Sequence, residues 1–198
     1  MKILSKDTLW KGHYLQVVSL RYEDRLGNTR MWESIERVNC GGISAIIPLT
    51  INNEFLLVRQ FRPVVQKFVI EFPAGLVSVG EEPIKTAYRE LIEETRYVSE
   101  DIIFLADGPV SSGLSSEILT VFLACDAKEA NKDLLSSYHA DESEDIEVIK
   151  TPVENIYKVL ADYSKRGDLI DLKIYGMLEL ARRYLDSKAA NKSQYKKE

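Results

Sequence analysis

Residues 75–97 read GLVSVGEEPIKTAYRELIEETRY, a glycine-containing loop followed by one amphipathic stretch. Pro83 is typical of the first turn of a helix, because the N–H that proline lacks would have no partner there. Apolar side chains then recur at three- to four-residue spacing: Ile84, Ala87, Tyr88 and Leu91. This period predicts a helix with one face buried.

The same helix carries closely spaced glutamates. Glu90 and Glu94 are four residues apart, so both carboxylates lie on one helical face and repel each other, and Glu93 adds to their field. A cation would turn this repulsion into attraction, and hard oxygen ligands without His or Cys favour Mg²⁺, with Mn²⁺ as an alternative, over zinc. Arg89 lies four residues before Glu93 and can pair with it. A solvated acidic surface helix is the competing interpretation.

Strand-like segments precede and follow this helix. Two β-rich stretches flank Gly27-Asn28 and predict an antiparallel hairpin over residues 13–37. Further strand-like runs cover residues 42–49, 54–61, 67–72, 102–106, 118–125 and 146–149, and helical patterns cover residues 152–163 and 171–184. Three neighbouring strands are thus predicted to lead into Pro73-Ala74-Gly75.

Length favours one main domain with a small appendage, since 198 residues can bury a good core without requiring a second one. We expect residues 1–40 to form an N-terminal β-rich region and residues 41–186 the main domain. Residues 187–198 are polar, and we expect a flexible tail there.

Composition and charge exclude several classes of protein. With 45% hydrophobic and 29% charged residues, the chain has the composition of an ordinary soluble globular protein. No apolar run approaches the roughly 20 residues that a membrane span needs, and the N-terminus lacks an apolar signal segment, so we expect a cytoplasmic protein. The net charge of −5 argues against nucleic acid as a partner.

The spacing around the helix resembles a known motif. Gly75, five residues, Glu81, seven residues, Arg89-Glu90-Leu91, one residue, Glu93-Glu94, one residue and Arg96-Tyr97 match the Nudix box at every defining position but one. Nudix enzymes hydrolyse nucleoside diphosphates linked to another moiety, and their fold is an α/β/α sandwich around a mixed sheet.

This resemblance implies roles for individual residues. Glu90 and Glu94 would be the principal ligands of Mg²⁺, and Glu93 would be a further ligand or an orienting catalytic carboxylate. The Ala74 carbonyl would be a backbone ligand, and Glu81 would support the junction between loop and helix.

Segments outside the box resemble the ADP-ribose and ADP-sugar pyrophosphatase branch of the family. They are TRMWESIERV from residue 29, RQFRP from residue 59, EFPAGL from residue 71, DGPVSSGLSSE from residue 107 and HADESEDIEV from residue 139. By this resemblance Trp32 would stack on the base from the partner subunit of a homodimer built through the N-terminal region. Substrate would also be bound by Glu33, by Arg59 and by Arg62, which would contact its phosphates. Glu142 or Glu144 would activate water or bind a further metal.

Each of these roles has a structural alternative. Trp32 could be a core aromatic that packs the hairpin, Arg62 an ordinary surface charge, and the acidic segment around Glu142 and Glu144 a solvated loop. The retained box glutamates favour an enzyme that hydrolyses ADP-ribose or a related nucleoside diphosphate sugar. The alternatives are a non-catalytic module that binds such ligands, and a Nudix hydrolase of GDP-sugars, FAD or RNA caps.

Arg96 is the one departure from the box, which has glycine at this position. That glycine commonly follows the helix with a positive φ, where a non-glycine residue costs about 1 kcal/mol. Arg96 therefore either accepts this strain or ends the helix in another way. A cation near a helix C-terminus is electrostatically favourable and offsets part of the cost.

Overall fold

The structure is a computed structural model that describes residues 1–138 and 145–194, without the side chains of residues 191–194. Within this part of the chain, an N-terminal antiparallel sheet consists of β1 (Lys2–Lys11), β2 (Leu15–Glu23) and β3 (Thr29–Arg37), in that order. The predicted hairpin corresponds to β2 and β3. β1 was not predicted and adds a third strand beside β2.

The main domain contains both strands and helices. Its elements are β4 (Cys40–Thr50), β5 (Glu54–Arg62), β6 (Lys67–Glu71), β7 (Ala74–Ser78), α1 (Pro83–Thr95), β8 (Tyr97–Val98), β9 (Asp101–Pro109), β10 (Ile118–Glu129), α2 (Lys132–Leu135), β11 (Ile146–Pro152), α3 (Ile156–Lys165), β12 (Leu169–Ile170) and α4 (Lys173–Gln194). Each predicted strand and helix is present, with bounds that differ from the predicted ones.

One mixed sheet contains nine of the strands in the described residues. Its main path runs β12-β6-β5-β4-β10-β8, while β11 pairs with β5, β7 with β4, and β9 with β10. β10 lies parallel to β4, β12 lies parallel to β6, and the other pairs are antiparallel. The expected mixed sheet is therefore confirmed.

Alternating side chains on the central strands divide the core into two layers. Ile46 on β4 and Leu56 on β5 pack with α1, whereas the next residues, Ile47 and Leu57, pack with α3 and α4. Successive residues of a strand point to opposite faces, so one pair of strands serves both layers. Helices cover both faces of the sheet, as the α/β/α sandwich requires. None of the helices in the described residues is long and apolar enough to cross a membrane.

Two segments differ from the sequence-based expectation. Residues 74–78, expected as part of a loop, form β7 and pair with β4. α4 continues to Gln194, so residues 187–194 are helical although we expected a flexible tail. This extension begins with Ser187, whose hydroxyl donates to the Tyr184 carbonyl at 2.7 Å, and continues with Lys188, which lies 3.5 Å from the Asp101 carboxylate.

Candidate active site

β7 passes directly beneath the carboxylate of Glu90. A Cβ built on Gly75 would lie 1.7 Å from Glu90 Oε1, a distance that no real side chain tolerates. Glu90 itself is only 8% exposed. Glycine is therefore needed at position 75 so that the carboxylate can approach the backbone.

The loop between β7 and α1 is closed by its own hydrogen bonds. Glu81 Oε2 accepts the backbone N–H of Ser78 at 3.1 Å, and the Glu81 N–H donates to the Ser78 carbonyl at 3.0 Å. The first of these bonds is the main reason that the pKa of Glu81 is lowered. Ser44 on β4 donates to the Pro83 carbonyl at 2.8 Å and ties the start of α1 to the sheet. Glu81 thus lies at the junction, where the resemblance places it.

Arg89 holds two of the α1 carboxylates. Its Nη1 lies 2.8 Å from Glu93 Oε2 and 2.6 Å from Glu90 Oε1. The pairing with Glu93 was expected from the four-residue spacing, but the contact with Glu90 was not. The guanidinium therefore bridges both side chains.

The donors around β7 and α1 fit a hard divalent cation by their chemistry. Glu90, Glu93, Glu94 and Ala74 line one cleft, and Gly75 leaves room for the carboxylate closest to the backbone. Across residues 1–138 and 145–194, however, no three His, Cys, Asp or Glu side chains are arranged so that they could hold a metal ion. Glu90 and Glu93 instead direct their carboxylates toward the Arg89 guanidinium.

The cleft has a volume of about 810 Å³, which suits a nucleotide-sized ligand. Outside α1 it is lined by a group that we call the ion cluster: Arg62, Glu71, Asp171 and Lys173. Arg62 Nε donates to Glu71 Oε2 at 2.7 Å, and Lys173 pairs with Asp171. Burial raises the pKa of Glu71, with a smaller contribution from Asp171, while Arg62 opposes the shift. The predicted phosphate-binding Arg62 thus reaches the cleft.

Five charged residues of the cleft were not assigned to the site by the sequence analysis: Arg37, Glu71, Glu117, Asp171 and Lys173. Glu71 could have been suspected, because it belongs to the EFPAGL segment. Arg37 and Glu117 likewise lie in the TRMWESIERV and DGPVSSGLSSE segments, whereas no local pattern marks Asp171 and Lys173. Arg37 on β3 pairs with Glu117, so this ion pair connects the N-terminal sheet to the cleft wall.

Trp32 and Glu33 lie on β3 and do not line the cleft of their own chain. Trp32 is 49% exposed, which argues against a core aromatic, and its Nε1 donates to the Gly113 carbonyl at 3.1 Å. Beside it, the Ile35 N–H and the Ser34 hydroxyl donate to the Leu114 carbonyl at 2.8 and 3.0 Å. β3 is thereby docked on the loop between β9 and β10.

Arg59 does not reach the cleft. Its Nε and Nη2 donate to the two carboxylate oxygens of Asp168 at 2.9 and 3.1 Å, and its Nη1 donates to Glu147 at 3.3 Å. The guanidinium carbon also lies 3.7 Å from the centre of the Phe68 ring. These contacts tie β5 to β11 and to the turn before β12.

The remaining predicted residues are Glu142 and Glu144, which lie outside the described residues, so their role stays a prediction. At the end of α1, Arg96 takes the left-handed conformation with a φ of 66° and a ψ of 20°. Its N–H donates to the Ile92 carbonyl, and its carbonyl accepts the Ala130 N–H, both at 2.9 Å. Arginine therefore occupies the glycine position in the conformation that glycine prefers.

Comparisons with known proteins point to one family. Residues 42–171 match the family model described as NUDIX domain. A Bacillus subtilis ADP-ribose pyrophosphatase is 32% identical over 160 residues, which cover 80% of this chain and 82% of that protein. A Mus musculus ADP-sugar pyrophosphatase is 30% identical over 198 residues, covering 94% and 89% of the two chains.

A solved structure shows the same fold. The crystal structure of an ADP compounds hydrolase covers 94% of this chain and 95% of its own, with a TM-score of 0.76 and 22% sequence identity. The family model spans more than half of the chain, and the box glutamates lie together on one cleft. The chain therefore belongs to the Nudix family.

Proposed function

We propose that this protein hydrolyses the diphosphate bond of ADP-ribose or a related nucleoside diphosphate sugar, giving a nucleoside monophosphate and a sugar phosphate. The observation that carries the proposal is the cleft in which the box carboxylates of α1 face the glycine-bearing strand β7. The names of the Bacillus subtilis and Mus musculus relatives support this substrate class.

The reaction is proposed to depend on Mg²⁺, with Mn²⁺ as a substitute. Glu90, Glu94, Glu93 and the Ala74 carbonyl would hold the ion. When bound, Mg²⁺ supplies positive charge that neutralises the diphosphate and favours deprotonation of the attacking water. Arg89 already places a positive charge between Glu90 and Glu93, which supports the proposal that these carboxylates would hold a cation.

The other predicted residues would bind and orient the substrate. Arg62 on the cleft wall would donate to phosphate oxygens, for which a guanidinium is well suited. Glu142 or Glu144 would accept the proton of the attacking water. Arg59 is held by Asp168 and Glu147, so its earlier assignment to substrate binding has no support from its position.

Trp32 would act from a partner subunit in a homodimer. It does not line its own cleft, yet half of its surface is open. The N-terminal sheet also exposes other large apolar side chains: Ile3, Leu4, Leu9, Trp10 and Met31. A second copy that covers this sheet would bury these side chains and could bring Trp32, with Glu33, to the partner's cleft.

The proposed location is the cytoplasm. Cys40 and Cys125 are both free thiols, as expected in a reducing compartment.

The decisive experiment incubates the purified protein with ADP-ribose and Mg²⁺ and separates the products by chromatography. We expect AMP and ribose 5-phosphate. Glu94→Gln should lower turnover by about 100-fold or more while the fold is retained, because a principal Mg²⁺ ligand is lost. Asp162→Asn on α3, which replaces a surface carboxylate paired with Lys165, is the matched control.

The substrate class is tested with ADP-glucose, GDP-mannose, FAD and capped RNA in parallel. Binding of ADP-ribose without products, in Mg²⁺ and in Mn²⁺, would support the non-catalytic module instead.

A further inference from the structure

The ion cluster of the cleft lies outside the Nudix box, to which the proposed Mg²⁺ ligands Glu90, Glu93 and Glu94 belong. Its four side chains come from β5, from β6, from the turn after β12 and from the first residue of α4, and none belongs to the box. Arg62 pairs with Glu71, and Lys173 pairs with Asp171. The charges cancel within each pair. Below the exposed edge where Arg62 is proposed to contact phosphate, the two carboxylates would repel a phosphate group, and the two cations would repel a metal ion. A neutral, polar ligand group therefore fits this end of the cleft best.

Burial distinguishes the anions from the cations of the ion cluster. The side chains of Glu71 and Asp171 are 16% and 14% exposed, whereas those of Arg62 and Lys173 are 42% and 41% exposed. The carboxylates are thus recessed and the cations lie at the rim. An ionised carboxylate only accepts hydrogen bonds, so recessed carboxylates select a ligand that brings donors.

The position of Glu71 relates the ion cluster to the reaction centre. Glu71 precedes Ala74 by three residues, and extended backbone spans at most about 3.6 Å per residue, so their Cα atoms lie within about 11 Å. A group attached directly to a diphosphate near Ala74 can reach this far. Phe72, Ile174 and Met177 also line the cleft and supply apolar surface beside the carboxylates.

We propose that Glu71 and Asp171 form a subsite for the sugar beyond the diphosphate, in which their carboxylates accept hydrogen bonds from the sugar's neighbouring hydroxyl groups. Arg62 and Lys173 keep the two carboxylates in place. The apolar residues pack against the C–H groups of the sugar ring. This inference rests on the proposed function and states which part of the substrate the ion cluster binds.

The test measures binding in the presence of Mg²⁺ with two ligands that cannot be hydrolysed. They are ADP-ribose and ADP in which a methylene group replaces the oxygen that bridges the phosphates. Isothermal titration calorimetry is run on the wild type, Glu71→Gln and Asp171→Asn. We expect each substitution to weaken binding of the ADP-ribose analogue by about 10-fold or more, because a hydrogen bond to a charged acceptor is lost.

Binding of the ADP analogue, which lacks the terminal sugar, should change less than about twofold by the same reasoning. Asn at position 171 still accepts the Lys173 N–H that Asp171 accepts at 2.9 Å, so the start of α4 is preserved. Circular dichroism verifies the fold of each variant, and Asp162→Asn is the control.

Equal loss for both ligands would assign Glu71 and Asp171 to the nucleoside half or to general structure and would overturn the subsite. So would unchanged binding of the ADP-ribose analogue, or a wild type that binds neither ligand. Product formation from natural ADP-ribose is measured separately, so failure of the proposed function remains distinguishable from failure of the subsite.

Discussion

A side chain at position 75 would collide with Glu90, because a Cβ built there lies 1.7 Å from Oε1 and 2.2 Å from Cδ. Gly75 is not among the glycines with a positive φ. The position therefore requires glycine for the space it leaves and not for its conformational freedom.

Gly75→Ala should displace the Glu90 carboxylate while β7 stays paired with β4. We expect turnover of ADP-ribose to fall by about 100-fold, the loss typical of a misplaced active-site group, and the Mg²⁺ concentration for half-maximal activity to rise. Mg²⁺ titrations of the rate measure both effects. Gly108→Ala in β9, where an added Cβ meets nothing within 4 Å, is the control. Normal Mg²⁺ dependence of Gly75→Ala would show that Glu90 does not hold the ion.

The conformation of Arg96 leads to a prediction about stability. Arg96→Gly should raise the free energy of unfolding by about 1 kcal/mol, because glycine adopts a positive φ without strain. Urea denaturation measures the change. Arg166 offers a matched control, since it ends α3 with a φ of −78°, and Arg166→Gly should destabilise the protein. A loss of stability in both variants would mean that the Arg96 side chain outweighs its backbone strain.

At the scale of elements, Arg59 joins three segments that are far apart in the sequence. Its partners Asp168 and Glu147 lie 109 and 88 residues away. Asp168 precedes β12, which is followed by Asp171 and Lys173. The two hydrogen bonds from Arg59 to Asp168 therefore fix the chain just before the ion cluster.

Arg59→Met should lower the free energy of unfolding by about 2 kcal/mol, because Asp168, whose side chain is 11% exposed, loses its partner. Arg59→Lys keeps the charge but cannot form the two-armed contact, so we expect an intermediate loss. Urea denaturation measures stability, and the KM for ADP-ribose is measured on the same samples. A raised KM with unchanged stability would support direct substrate binding by Arg59.

At the scale of the whole molecule, the N-terminal sheet is the region that a second copy would cover. Leu9 and Trp10 on β1 are 56% and 58% exposed. Sedimentation should show a dimer, and Trp10→Glu should weaken it and raise the KM for ADP-ribose, because the partner's Trp32 leaves the cleft.

Ile51→Glu is the control for this prediction, since Ile51 is 66% exposed but lies in the turn between β4 and β5. Trp32→Ala should raise the KM by about 10-fold, the loss of one base stack, without dissociating the dimer. A wild type that sediments as a monomer and still hydrolyses ADP-ribose would contradict the proposed dimeric site.

The box helix, its glutamates and the main strands could be predicted from the sequence because their signals are local. Pro83, the helical period and the four-residue spacing from Glu90 to Glu94 all act within one element. Resemblance to the Nudix box then indicated the three-layer fold, and the structure confirmed it. Comparison with the Nudix box also identified Arg96 as the departure, but two ways of ending the helix remained open.

Contacts between distant residues were decided only by the tertiary structure. Glu71 and Asp171 are one hundred residues apart and meet because β12 pairs with β6. Arg59 was expected to bind substrate, but it donates to Asp168 instead. The reason for glycine at position 75 follows only from the packing of α1 against β7. The residue types could thus be read from the sequence, whereas their partners depend on which elements the packed sheet brings together.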